Sequence, residues 1–277
     1  GKWSVTNAEY DCFMEAGGYK NEKWWKTDLA KRWLKGEEVM GGQSATLLEN
    51  RRILKSLSDP KNAMEQSGSF TPQVIEAWMK YLAMSDEEFK AEIAKSFSGK
   101  SRERPQYWND SEHNNPSQPV VGITWFEAKA YCEWLSAITG KIYRLPSEVE
   151  WESAARGTQG RIYPWGNEWD SAKANTIESR VLKPSPVGVY TAAGSKGELG
   201  AEDQAGNVWD WCSTIYVPSY PYRKDDEHES ENAEGERLVR GGSWLYDSRL
   251  ARCACRIRNV PDDFSNNIGF RVLSPAL

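Results

Sequence analysis

No stretch of this chain approaches the roughly 20 consecutive apolar residues that cross a bilayer. No signal peptide is visible either, so a transmembrane segment is not expected. A basic tract is also missing. The 35 Lys and Arg and the 40 Asp and Glu are dispersed, with a net charge of -5. That leaves no face to neutralise a phosphate backbone, and no direct nucleic-acid ligand is expected. No fixed-period repeat is apparent. Histidine is reduced to His113 and His228, with no helical pair, and both are expected to face solvent. The five cysteines, Cys12, Cys132, Cys212, Cys253 and Cys255, are odd in number and scattered, which is not a disulfide framework. Cys12, Cys132 and Cys212 stand beside aromatic or aliphatic residues and are expected to be buried. This usage favours a reducing, intracellular setting; display on a cell surface or virion would need a leader ahead of Gly1.

What the chain has in excess is large flat side chains, 14 Trp and 12 Tyr, interleaved with Gly, Pro and Asn. They predict an interior assembled from irregular loops, in which each indole needs a partner for its N–H. Three short helices are marked by capping boxes, where an N-cap hydroxyl and a Glu three residues on satisfy each other's free backbone N–H groups. Thr6 with Glu9 opens the first, which should end near Glu15, before Gly17 and Gly18. Thr124 with Glu127 opens the second, with Phe126, Ala130, Tyr131 and Trp134 as its apolar stripe and Gly140 beyond its end. Ser147 with Glu150 opens the third.

Between about 37 and 104 Trp becomes scarce, Lys and Glu rise, and helical spacing appears. Thr71 before Pro72 and the Ser85 and Glu88 pair mark further helix starts. We read a helical insertion at about 37–104 within one domain spanning 1–277; a separate partner-binding module is the alternative. Beyond Pro105, short strand-like runs follow at Val187–Tyr190, Val208–Trp211, Leu238–Arg240 and Phe270–Val272, divided by turn residues.

Two glycine-marked segments, Arg240-Gly-Gly-Ser-Trp244 and Ile268-Gly-Phe-Arg271, bracket a window that repeats with neither the strand nor the helix period. It holds Leu245, Tyr246, Asp247, Ser248, Arg249, Cys255, Ile257, Asn259, Asp263, Phe264, Asn266 and Asn267. A window obeying neither rule between patterned segments reads as a presented surface. Trp244, Tyr246 and Phe264 would serve as aromatic anchors, and Asp247, Arg249 and Arg258 as charged complements. Trp244 is also expected to pack inward, and Ile257 is open between core and surface. Arg240, Arg252, Arg256 and Arg271 are expected to make internal ion pairs.

Several ordered motifs together resemble the formylglycine-generating enzyme (sulfatase-modifying factor) family. They are Val5-Thr-Asn-Ala-Glu-Tyr10, Pro119-Val-Val-Gly-Ile-Thr-Trp125, Tyr143-Arg-Leu-Pro-Ser-Glu-Val-Glu-Trp-Glu152, Tyr163-Pro-Trp-Gly-Asn167, Gly206-Asn-Val-Trp-Asp-Trp211, Arg240-Gly-Gly-Ser-Trp244 and Ile268-Gly-Phe-Arg271. The resemblance implies an α+β, C-type lectin-like fold rich in irregular loops. In the family's oxidase members, two cysteines just beyond the Gly-Gly-Ser motif bind copper, as soft thiolates suit Cu(I). Here Tyr246 stands in place of the first, and Ser248, Arg249 and Leu250 fill the region of the second. Cys253 and Cys132 match structural cysteines of the family, but Ala155 and Val272 stand where their partners would be, so neither disulfide is expected. A non-haem iron branch would need imidazoles that two scattered histidines do not supply.

The remaining branch is a binding one, and the C-terminal pattern resembles the variable proteins of diversity-generating retroelements. In that family, adenine-directed mutagenesis of Asn codons ending in a pyrimidine cannot produce Lys, Glu, Gln, Met or Trp. Those five types supply 71 of the 277 residues and none of positions 245–267. Asn259, Asn266 and Asn267 would be unmutated template codons or simply turn residues.

The resemblance also implies a calcium site of oxygen donors, Asp203, the Gly206 and Val208 carbonyls, and Asp210. Asp here replaces the family's Asn and Glu. The expectation is therefore a non-enzymatic protein with no required cofactor and at most this structural calcium, binding a macromolecular ligand, a protein or cell-surface component, through 244–267. A copper-dependent oxidoreductase of the formylglycine-generating type and a fixed-partner interaction domain are the alternatives.

Overall fold

The computed structural model describes residues 1–37, 39, 42–67, 72–97, 102–218, 222 and 229–275. The three capping boxes form as expected. Thr6 opens α1 (Asn7–Glu15), Thr124 opens α7 (Trp125–Thr139) and Ser147 opens α8 (Glu148–Arg156). In each, the N3 carboxylate accepts the N-cap backbone N–H at 2.8 Å. Gly140, in the left-handed region at φ 68°, stops α7. The stripe on α7 is wider than one face: Trp125, Ala128, Lys129 and Cys132 are buried beside Phe126, Ala130, Tyr131 and Trp134. The first half of this helix, Trp125 to Cys132, is buried on all sides, while its last residues, Ala137 to Thr139, are exposed.

Two shorter pieces surround that helix. α2 (Asp28–Leu34) supplies Trp33, whose ring stacks on Trp25 at 5.7 Å. Tyr10 of α1 stacks on Tyr131 of α7 at 5.5 Å, and Phe270 meets both edge-on. Offset and edge-on pairs of this kind are favoured by the ring quadrupole. Indole N–H groups find backbone partners where predicted: Trp25 on Gly18, Trp125 on Cys212 and Trp211 on Ile123. Trp24 and Trp244 break the rule, because each buries its Nε1 without a hydrogen-bond partner.

Within 37–104 the described residues form α3 (Gly42–Lys55), α4 (Pro60–Ser67), α5 (Pro72–Ala83) and α6 (Asp86–Phe97). They bury a cluster of their own, Met64, Ile75 and Trp78, with Leu47, Leu54 and Tyr81 around it. The Ser85 and Glu88 capping box opens α6, while Thr71 lies outside the described residues.

Four short strands, β1 (Trp209–Ile215), β2 (Arg237–Arg240), β3 (Ile257–Asn259) and β4 (Ile268–Gly269), make one sheet of order β3-β2-β1-β4. β1 pairs antiparallel with β2, Asp210 opposite Arg240, and parallel with β4, Trp209 opposite Ile268. β3 pairs antiparallel with β2, Val239 opposite Ile257. Two expected strands are corrected. Val187–Tyr190 is a turn, with Gly188 at φ 76°. Pairing at the C-terminus falls on Ile268 and Gly269 instead of Phe270–Val272, because Phe270 turns into the aromatic core and Leu273 bridges to Arg144.

Cys12 is exposed, contrary to expectation, since α1 turns that side outward, whereas Cys132 and Cys212 are buried. His113 is buried, held by Asp110 at 3.1 Å from its Nδ1, and does not face solvent. His228 lies outside the described residues.

Candidate functional site

The two glycine-marked motifs, on β2 and β4, flank β1 in the sheet. Arg240, fully buried on β2, donates Nη1 to Glu148 at 2.9 Å and Nη2 to Glu152 and the Cys253 carbonyl at 2.5 Å. Arg256 donates Nε to the same Glu148 oxygen at 2.5 Å and Nη2 to its second oxygen at 3.0 Å. Burial opposes ionisation of Glu148, but the guanidinium groups of Arg256 and Arg240 win and hold it below the usual carboxylate range. These pairs tie both ends of the 240–256 segment to α8.

The glycines between are required by space as well as by angle. Gly242 sits at φ 78°, and a Cβ there would stand 2.9 Å from Ala251 Cα. Side chains disfavour that region of φ, so only glycine lets the chain fold back on itself here. Beyond it, Trp244 N–H donates to Asn207, Tyr246 N–H to Ser243, and Leu250 N–H to Asp247. A second loop joins the turn: Ile177 N–H donates to the Tyr246 carbonyl at 3.0 Å, and Glu178 accepts Ser248 N–H at 2.8 Å.

The expected surface residues divide into two groups. Tyr246 and Arg249 are exposed, with Leu245, Asp247 and Ser248 half-buried around them. Tyr246 leans edge-on against Trp209 at 6.1 Å, and Arg249 pairs with Asp247 at 2.6 Å. The second group belongs largely to the frame. Trp244, Asp263, Phe264 and Asn267 are buried, which corrects the expectation that Phe264 and Asp263 project outward. Asn267 donates to Ser243 Oγ at 3.1 Å, closing the two motifs on each other, and Asp263 accepts from Ser265 and Phe264 N–H. Cys255 and Ile257 are half-buried and pack on the main core. Asn259 and Asn266 are half-buried. Asn267 was misread because its partner Ser243 lies 24 residues away in sequence.

Arg252 is also corrected. It is exposed and donates to the Arg249 carbonyl instead of forming an internal ion pair. Arg258 pairs with Glu236 at 3.0 Å. The sequence reading missed the loop after Thr176, where Arg180 and Leu182 hold positive φ of 56° and 59°. No local signal marks such residues, since neither is a glycine or asparagine. It also missed Glu148 and Glu152 as the anchors of the motif arginines, although both stand in the segment Ser147-Glu-Val-Glu-Trp-Glu152.

The oxygen set expected for calcium does not fit that ion. Asp210 accepts from Arg271 Nε at 2.6 Å and Trp151 Nε1 at 2.9 Å on one oxygen, and from Ser4 Oγ at 2.9 Å on the other. A guanidinium in contact with the carboxylate occupies the place of a dication. Asp203 turns its Oδ2 to Gly188 N–H at 2.9 Å. Gly206, at φ 81°, has its Cβ direction against the Asn175 carbonyl, which explains that glycine as a close backbone crossing.

All five cysteines are free. Burial pushes the Cys132 and Cys253 thiols up to about 12 and raises Cys212 and Cys255 as well. Such thiols stay protonated at neutral pH and are poor nucleophiles and metal ligands.

The sulfatase-modifying factor enzyme 1-like domain family matches residues 1–276. The formylglycine-generating enzyme of Streptomyces coelicolor is 38% identical over 192 residues, covering 62% of this chain and 58% of that protein. The inactive C-alpha-formylglycine-generating enzyme 2 of Mus musculus is 33% identical over 174 residues, covering 57% of this chain and 49% of its own. The chain thus spans about half the length of these curated relatives. Among solved structures, Treponema denticola variable protein 1 superposes with a TM-score of 0.50 at 20% identity, covering 61% of this chain and 74% of that one. The fold is α+β and C-type lectin-like, as expected from the motifs.

Proposed function

The chain belongs to the sulfatase-modifying factor enzyme 1-like domain family, and from that premise we propose that it is a non-catalytic ligand-binding protein. In this reading it is the variable protein of a diversity-generating retroelement, displaying an exchangeable surface on the turn that follows Arg240-Gly-Gly-Ser-Trp244. The observation that carries the reading is a contrast within one segment. Arg240 and Arg256 are pinned to Glu148, while Tyr246, Arg249 and Arg252 between them are exposed. Side chains placed in this way can change without rebuilding the core. Tyr246 supplies an aromatic contact with few rotors to freeze, and Arg249 and Arg252 supply charge. The absence of Lys, Glu, Gln, Met and Trp from 245–267 agrees with adenine-directed diversification. The ligand is a macromolecule, a protein or cell-surface component.

A family enzyme of the formylglycine-generating type is the second reading, favoured by the 38% identity to such an enzyme. Against it stand Tyr246 at the place of a catalytic cysteine and the burial of Cys253. Two experiments separate the readings. Sequencing the DNA beside the gene should reveal a near-copy of codons 245–267 next to a reverse-transcriptase gene, differing only at template adenines. Turnover of a Cys-containing sulfatase peptide by the copper-loaded protein would overturn the non-catalytic reading.

A further inference from the structure

The loop that carries Arg180 and Leu182 is fixed at its base yet turns its apolar side chains to solvent. Asn175, buried at the start of the loop, donates Nδ2 to the Lys183 carbonyl at 2.9 Å and so closes it. Inside that closure a short 3-10 turn, Ile177–Ser179, is held by the Ser179 hydroxyl, which donates to the Thr176 carbonyl at 2.7 Å, and by Arg180 N–H, which donates to the Ile177 carbonyl at 3.2 Å. Ile177 is 45% exposed, Val181 38% and Leu182 59%. Single exposed apolar side chains are ordinary. Three within one tied loop, beside the exposed Tyr246, make a patch of the kind that marks an interaction site.

Two observations bear on what the patch meets. Arg180 and Leu182 both hold left-handed backbone, at φ 56° and 59°, which side chains disfavour. Strain of this sort is characteristic of functional segments, and at Leu182 burial within one copy offsets little of it. The second observation is charge. The Arg180 guanidinium is exposed and makes no hydrogen bond or ion pair among the described residues, although Glu178 stands two positions away. Glu178 is exposed too, and it accepts Ser248 N–H on Oε1, with Arg249 in electrostatic reach. A carboxylate has acceptor sites beyond those. The loop thus offers an apolar centre, an unpaired cation and an exposed carboxylate. Such a surface complements itself: a two-fold axis through it brings each Arg180 to the Glu178 of the other copy and packs the leucines at the centre.

We propose that this loop is a self-association surface through which two copies of the chain form a symmetric dimer. Because the loop is tied down before it meets its partner, little freedom is lost on association. One loop from each side buries less than a standard interface, so the dimer is weak and concentration-dependent. The bond from Ile177 N–H to the Tyr246 carbonyl sets each exposed turn at the edge of the contact, and the dimer displays two turns side by side. The inference does not rest on the proposed function, since the copies associate whatever the turns bind.

The test is sedimentation velocity on the full chain at rising concentration, where monomer should pass reversibly into dimer. Leu182→Asn removes the apolar anchor yet suits the left-handed backbone, so its loss of dimer is not a loss of fold. Arg180→Glu sets carboxylate against carboxylate across the axis. Each variant should raise the dimer dissociation constant at least about tenfold, as removal of an anchor or a like-charge contact implies. A cooperative unfolding transition verifies that both variants are folded. Monomer at every concentration, or a dissociation constant that either variant leaves unchanged, would overturn the proposal.

Discussion

Arg271 Nε lies 2.6 Å from Asp210 Oδ2, and both side chains are buried. The last motif arginine thereby neutralises the carboxylate at the start of β1, in a place where calcium was expected. Arg271 Nη2 also reaches the Glu202 and Asp203 carbonyls at 3.1 and 3.2 Å, so one side chain clamps the loop and the strand together. Removing one partner of a buried pair strands the other charge, which costs about 3–5 kcal/mol. Arg271→Ala should lower stability by that order in denaturant unfolding. Added calcium should leave the melting temperature of the unsubstituted protein unchanged; a calcium-dependent rise would restore the oxygen site.

Glu127 makes stability depend on pH. Burial raises its carboxyl from 4.5 to about 7, against the opposing bonds from Thr124 and Tyr19. The folded state therefore binds a proton that the unfolded state has lost between those values. Stability from this group is fully present below pH 4.5 and declines as pH rises through about 7. The rise corresponds to about 3 kcal/mol across the window. Glu150, held at about 2 by Arg144, acts with the opposite sign and only below that window, losing its contribution as pH falls. Glu127→Gln, which keeps the helix cap, should flatten the curve between pH 4.5 and 7. Urea titrations across that range would read the slope directly.

Leu182 is exposed at φ 59°. A bulky side chain in the left-handed region costs roughly 1–2 kcal/mol, and asparagine tolerates it better. Leu182→Asn should raise stability by about 1 kcal/mol. An unchanged or lower midpoint would mean that the leucine is stabilised by contacts of its own.

Tyr246 and Phe264 should separate binding from folding. Tyr246 is 39% exposed and Phe264 only 8%. Tyr246→Ala with Arg249→Ala should shift stability by no more than about 0.5 kcal/mol, as for surface sites, while abolishing capture of the ligand once one is found. Phe264→Ala should cost about 3–5 kcal/mol. Equal losses of stability in the two variants would place Tyr246 in the frame, and retained binding after Tyr246→Ala with Arg249→Ala would move the site elsewhere.

Much of the scaffold was legible because its signals are local. A capping box needs only a hydroxyl and a carboxylate three residues apart, so α1, α7 and α8 begin where Thr6, Thr124 and Ser147 stand. The glycines of Arg240-Gly-Gly-Ser-Trp244 likewise announce a turn. Strands were less legible, since Val187–Tyr190 has the composition of a strand but turns at Gly188, with φ 76°, after Val187 N–H has bonded the Ser117 carbonyl. The candidate surface was half legible. Leu245 to Arg249 lie on a turn whose exposure follows from local hydrogen bonds, whereas Asp263, Phe264 and Asn267 were assigned outward although Ser243 and the core draw them in.

Residue identity and near neighbours set the family motifs, the starts of the helices, the lack of a cysteine pair just beyond the Gly-Gly-Ser turn, and a charge balance without a basic tract. Each depends on residue identity or on neighbours within a few positions. Only folding sets that Glu148 serves both Arg240 and Arg256 and that Asp210 belongs to Arg271. Those outcomes join residues 61 to 108 positions apart, and a charge's partner is chosen by proximity after folding, which no local pattern encodes.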